Sequence, residues 1–129
     1  MAAGFTDYLS KLPPGLLNAK MIDVHKGLSY CGDAEDYLSA IETFYTSMEK
    51  KADALTSALE KEDTDTFTLT VHSLKSTAGA IGALEISDMA KALEQTGKEK
   101  DMETLRNDTK VFIKAFNELR EEISWIFNK

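Results

Sequence analysis

An imidazole and an ammonium one helical turn apart, His72 and Lys75, are the side chains of this sequence best suited to chemistry. A neutral imidazole is a nucleophile, and its ordinary pKa of about 6.5 leaves most of it neutral near pH 7. A lysine three residues on lies along the same helical face, where its charge can offset an anionic group arriving at the ring. The pair thus offers a nucleophilic nitrogen with a positive charge one turn away on a single helical face. Thr68, Ser76 and Gly79 share the row with His72 and Lys75 and are small, so a second protein could approach this surface closely. The plainer alternative for the pair is a solvated histidine beside a lysine that bonds a carboxylate on a neighbouring helix.

A third group comes from the following helix. If the segments on either side of Gly82 to Leu84 form a hairpin, residues equidistant from the turn come level, and Glu94 then faces His72. A carboxylate there would accept the Nδ1 proton, set the tautomer and turn the Nε2 lone pair outward. Glu94 would act as an orienter, the alternative being a solvent-facing glutamate.

The residues His72-Ser73-Leu74-Lys75, then Gly82, then Leu93-Glu94 resemble the histidine-containing phosphotransfer (HPt) domains of two-component phosphorelays. One departure is Ser76, where the family more often has glycine; a small residue is kept. The resemblance implies a bond between the Glu94 position and the imidazole. It also implies phosphoryl exchange on His72 with receiver domains of response regulators, under a sensor or hybrid histidine kinase. The receiver would supply the aspartate and Mg²⁺, so the chain itself is expected to need no cofactor and to carry phosphate without being an enzyme. It is expected to act as a monomer. A related alternative is a non-catalytic helical bundle that binds receivers without accepting phosphate.

Other chemistries fit poorly. The sequence has no glycine-rich phosphate loop and no pair of aspartates beside His72, so it is not expected to make phosphohistidine from ATP. A di-iron bundle needs Glu three residues before His, and those positions before His72 and His25 are Leu69 and Ile22. His25 is read as a surface or helix-end residue. Cys31 is the only cysteine, which excludes an internal disulfide and a thiolate cluster built within the sequence. With 22 acidic against 15 basic residues and a net charge of −7, there is no basic face for nucleic acid or an anionic membrane. No apolar run is long enough to span a bilayer and the first residues lack a secretory pattern, so a cytoplasmic protein is expected.

The elements that must position these groups are helical. Phe67, Val71, Leu74, Ala78 and Ile81 alternate steps of four and three around the His72 row. Leu38, Ile41, Tyr45, Met48, Ala52, Leu55 and Leu59 do the same in a long helix capped by Asp33, with Phe44 widening the stripe. Ile86, Met89, Ala90 and Leu93 mark a third helix, closing at Thr96-Gly97. Met102, Leu105, Thr109, Phe112, Phe116, Leu119, Ile123 and Ile126 mark a fourth behind Asp101, its end thickened by Trp125 and Phe127. Asp63 or Thr64 caps the motif helix. Met21, Val24 and Leu28 suggest a short helix from near Asn18 to Cys31-Gly32. Phe5, Leu9 and Leu12 suggest a turn or two stopped by Pro13-Pro14. No period-two alternation marks a strand. The prediction is an all-α, antiparallel up-down-up-down four-helix bundle with an additional short N-terminal helix packed across it. Residues 18–129 would form the domain and residues 1–17 a lead-in or cap. The apolar stripes are core and need no ligand to explain them.

Overall fold

Three aspartates set the starts of the long helices. Asp33 accepts from the Asp36 amide at 2.8 Å, Asp63 from the Thr66 amide at 3.0 Å, and Asp101 from the Thr104 amide at 3.2 Å. Each bond satisfies an amide that has no partner within its helix. The threonine hydroxyls of Thr66 and Thr104 donate to the second oxygen of the same caps.

The computed structural model describes residues 12–127, so the expectations for Phe5 and Leu9 lie outside the described residues. Six helices follow in order: α1 Pro14–Leu17, α2 Val24–Cys31, α3 Ala34–Glu60, α4 Thr64–Ala80, α5 Leu84–Lys98 and α6 Met102–Phe127. No strand occurs among the described residues. The four long helices α3 to α6 pack each on the next, and α3 also packs on α6, which closes a bundle. Polar bridges show the directions. Lys51 on α3 reaches Ser73 on α4, while Arg120 and Arg106 of α6 meet Glu49 and Glu62 at successively later points along the α3 side. Sequence numbers thus run oppositely on α3 and α6, which makes that pair antiparallel. α2 lies against α3 and α4.

The interior is built from the predicted stripes with local shifts. In α4 Phe67, Val71, Leu74 and Ala78 are buried, and in α6 Leu105, Thr109, Phe112, Phe116, Leu119, Ile123 and Ile126 are buried. Phe112 stacks on Phe116 at 5.4 Å between ring centres, and Phe44 meets Phe116 edge-on at 6.0 Å. In α3 the predicted Ile41, Phe44, Met48 and Leu55 are buried, joined by Ala34, Tyr37 and Ala58 on one flank of the stripe. Leu38, Tyr45, Ala52 and Leu59 are only partly buried. α3 is covered by α2, α4 and α6, and so buries more than one row. Trp125 does not thicken the core: it is an exposed side chain near the end of α6, beside Gly15 of α1.

Two N-terminal expectations are corrected. Pro14 opens the one-turn α1 instead of only stopping a helix, since proline at the first helical position lacks only an amide that would be unbonded anyway. The next helix starts at Val24 and not near Asn18, because the Asp23 carboxylate accepts from the Lys26 amide and caps it there. The preceding Lys20 and Met21 amides go instead to the Glu122 carboxylate of α6.

This N-terminal part holds the α4–α5 turn. Gly82 has φ +85°, the left-handed conformation glycine adopts without strain, and the Ala83 amide returns to the Ala78 carbonyl at 2.9 Å. The Asp23 amide donates to the Gly82 carbonyl at 2.8 Å, so closely that a Cβ on Gly82 would collide with the Asp23 backbone. The fully buried Tyr37 hydroxyl donates to the Ile81 carbonyl at 2.8 Å, and Gly27 leaves the space its ring fills. Burial pushes the Tyr37 phenol pKa far up, which keeps it protonated as a donor. Tyr37→Phe leaves the buried Ile81 carbonyl short of that donor and is expected to lower stability by about 1–2 kcal/mol. Urea unfolding would measure it, and an unchanged midpoint would show that the bond contributes nothing net.

Candidate functional site

With the Gly82 turn fixed, α4 and α5 run antiparallel in a single register. Ser87 lies beside Lys75, Glu94 beside His72, and Gly97 beside Thr68. His72 follows the buried Val71, so its own side chain projects from the bundle and is 57% exposed. Lys75, one turn on, is 30% exposed, whereas Glu94 is 9% exposed at the α4–α5 seam.

Glu94 joins the two. Its Oε2 lies 2.5 Å from His72 Nδ1, and its Oε1 accepts from Lys75 Nζ at 2.7 Å. The Lys75 hydrogen bond, followed by that of His72, holds the Glu94 carboxyl below the usual carboxylate range despite its burial. An ionised carboxylate can only accept, so the proton in the short contact belongs to Nδ1. The lone pair then sits on Nε2, on the far side of a ring that is more than half exposed. The three residues singled out from spacing are therefore one connected unit.

The small residues of the same row have distinct surroundings. Ser76 is exposed one turn beyond His72. Gly79 is half-buried against α5: a Cβ there would lie 3.3 Å from Ser87 Oγ, which donates to the Lys75 carbonyl at 2.8 Å. Thr68 donates to the Thr64 carbonyl and fills the space left by Gly97. Gly79 and Thr68 are thus placed where α4 and α5 touch.

Three further residues bear on the site. Lys98 Nζ approaches Glu94 Oε2 at 4.0 Å from one turn along α5, a spacing visible in the sequence. Ser87 gave no signal, since a hydroxyl opposite a glycine is recognised only once the register is known. Leu69, one turn before His72, is 71% exposed and stands outside the apolar stripe of α4, where its position marked it as unburied. His25 is exposed on α2. Cys31 is half-buried, its thiol pKa pushed up by burial and then by Asp36 and Asp33. Among the described residues no three His, Cys, Asp or Glu side chains are grouped to hold a metal ion, and no helix is long and apolar enough to cross a membrane.

Comparison with known proteins bears on the same elements. The family model described as the Hpt domain matches residues 39–124, which include α4, α5 and most of α3 and α6. A search of curated proteins returned no match. Among solved structures, the histidine-containing phosphotransfer protein B (HptB) of Pseudomonas aeruginosa PAO1 is similar in fold, with a TM-score of 0.57. The likeness covers 80% of this chain and 96% of that one at 22% identity. A single helical bundle, an exposed histidine in the middle of its second long helix and a family match across most of the bundle lead to one assignment: the chain belongs to the Hpt domain family, the histidine phosphotransfer domains of phosphorelays.

Proposed function

We propose that His72 accepts a phosphoryl group from the aspartyl phosphate of a receiver domain and passes it to a second receiver. In the accepting step the P–O bond to the receiver aspartate breaks, a P–N bond forms at His72 Nε2, and the aspartate leaves as carboxylate. Nδ1 keeps its proton throughout, held by Glu94, so the attacking nitrogen needs no base. Lys75 offsets the phosphoryl charge from one turn along the helix. The receiver is expected to bring Mg²⁺, and this chain to act as carrier, with a sensor or hybrid histidine kinase feeding the relay. Residues 18–129 are the phosphotransfer domain in this proposal, with residues 1–17 as its lead-in or cap. Ser76 and Leu69 lie where the receiver docks, while Thr68 and Gly79 support that face through the α4–α5 contact.

The observation that carries this proposal is the exposed imidazole whose Nδ1 is engaged by a buried, ionised Glu94. Incubation with a receiver charged by acetyl phosphate and Mg²⁺ is expected to label the protein at a site that is acid-labile and alkali-stable. Peptide mapping should place the label on His72, with a phosphorus resonance typical of a P–N bond. An acid-stable label on serine or threonine, or no label from any receiver, would refute the assignment.

A further inference from the structure

The buried Glu94 carboxylate has a second lysine in waiting. Lys75 Nζ bonds Oε1 at 2.7 Å, while Lys98 Nζ stands 4.0 Å from Oε2, within ionic range but beyond hydrogen-bond distance. We propose that Lys98 takes over as the counter-ion of Glu94 when Lys75 turns to a phosphoryl group on His72, which makes Lys98 a positioning residue for the phosphorylated state. This inference rests on His72 being the acceptor.

The geometry sets up a competition. In the unphosphorylated protein Lys75 is bonded to the carboxylate on the Nδ1 side of the ring, but the phosphoryl group forms on Nε2. The ammonium has three donors, but acceptors held on the two different nitrogens of the ring stand too far apart for it to bond both at full strength. Its flexible stem and partial exposure allow it to swing, as a point charge on four methylenes readily does. Glu94 would then keep only the His72 Nδ1 proton, at a seam where its side chain is 9% exposed. A carboxylate so little hydrated is destabilised by loss of a partner.

Lys98 is placed to prevent that. It sits at i+4 from Glu94 on the same helix, its side chain is 62% exposed and able to change rotamer, and a small movement brings Nζ into hydrogen-bond range of Oε2. Lys91, which lines a shallow groove along α5 together with Lys75, Glu94 and Lys98, makes no contact with Glu94 within 4 Å among the described ion pairs, so Lys98 is the nearer replacement. The handover makes release of Lys75 less unfavourable, and phosphohistidine correspondingly more stable.

The test uses phosphoramidate as donor, with no receiver present, so that docking plays no part. Its P–N bond breaks, ammonia leaves, and the phosphoryl group bonds His72 Nε2. The extent of phosphorylation at equilibrium is read by ³¹P NMR for wild type, Lys98→Met, Lys98→Arg, Lys75→Met and the Lys75→Met/Lys98→Met double variant. Lys98→Met is expected to lower occupancy about two- to fivefold, the span that partly exposed ion pairs reach, and Lys98→Arg to restore it. With Lys75 already gone, Glu94 depends on Lys98 equally before and after phosphorylation, so Lys98→Met should cause no further loss. In side-chain ammonium spectra of the wild type, the Lys98 signal should shift on phosphorylation. Unchanged occupancy in Lys98→Met would overturn the handover. So would a loss that persists in the Lys75→Met background, since Lys98 would then act on the phosphoryl group directly. A wild-type protein that takes no label from phosphoramidate or from a charged receiver would instead refute His72 as the acceptor.

Discussion

His72→Gln is expected to abolish phosphoryl acceptance while leaving the bundle and its receiver binding intact. Glutamine has no nucleophilic nitrogen, yet its amide can still donate toward Glu94, so the buried carboxylate keeps a partner. The replaced ring is more than half exposed and contributes little apolar burial, so stability should stay within about 0.5 kcal/mol of wild type. The variant therefore separates chemistry from folding. Label transfer from a charged receiver should fall to background, while titration of the same receiver gives a dissociation constant within a few-fold of wild type. Persistent labelling would move the acceptor elsewhere. A wild-type protein that binds receivers as the variant does, and also takes no label, would instead be a docking bundle without transfer chemistry.

The parts of this molecule that were legible beforehand are those set by local spacing. The α4 stripe of Phe67, Val71, Leu74 and Ala78 is periodic, and its rotation alone places His72 and Lys75 on the adjoining, less buried row. Asp33, Asp63 and Asp101 announce their helices because a cap acts on amides two or three residues away. The pairing of Glu94 with His72 was readable too, since Gly82 marks the turn and an antiparallel hairpin fixes what lies level across it.

What stayed hidden depends on partners distant in sequence. Asp23 caps α2 where an earlier start also looked plausible, because the Lys20 and Met21 amides are drawn to Glu122, about a hundred residues away. The choice of Tyr37 over Leu38 as the buried residue follows from the Ile81 carbonyl and the gap at Gly27. Nor could spacing show that Gly79 makes room for Ser87. That contact links the small residues of the motif to the backbone of Lys75, so helix packing and the placement of the charged group are one arrangement.

Glu94→Leu is expected to slow phosphoryl acceptance by roughly 10–100-fold, by analogy with losing the partner that orients a metal-bound histidine. Leucine fills the seam but accepts nothing, so the ring can rotate and place its proton on either nitrogen, and the fraction with a free lone pair on Nε2 falls. Glu94→Gln keeps a neutral acceptor for Nδ1 and should lose far less. ¹⁵N chemical shifts of the ring would show the wild type as the Nδ1–H tautomer and the leucine variant as a mixture. Stability gives an independent check through its pH dependence. The folded protein holds the Glu94 carboxyl below its ordinary value of 4.5, so the stabilisation is present above that value and is lost as pH falls through the lower, folded one. The glutamine variant does not titrate at this position, so its stability difference from wild type should be constant near neutrality and change only below about pH 4.5. Wild-type transfer rates in the leucine variant, with an unaltered tautomer, would leave Glu94 as a counter-ion for Lys75 alone and assign the orientation of His72 to the helix that carries it.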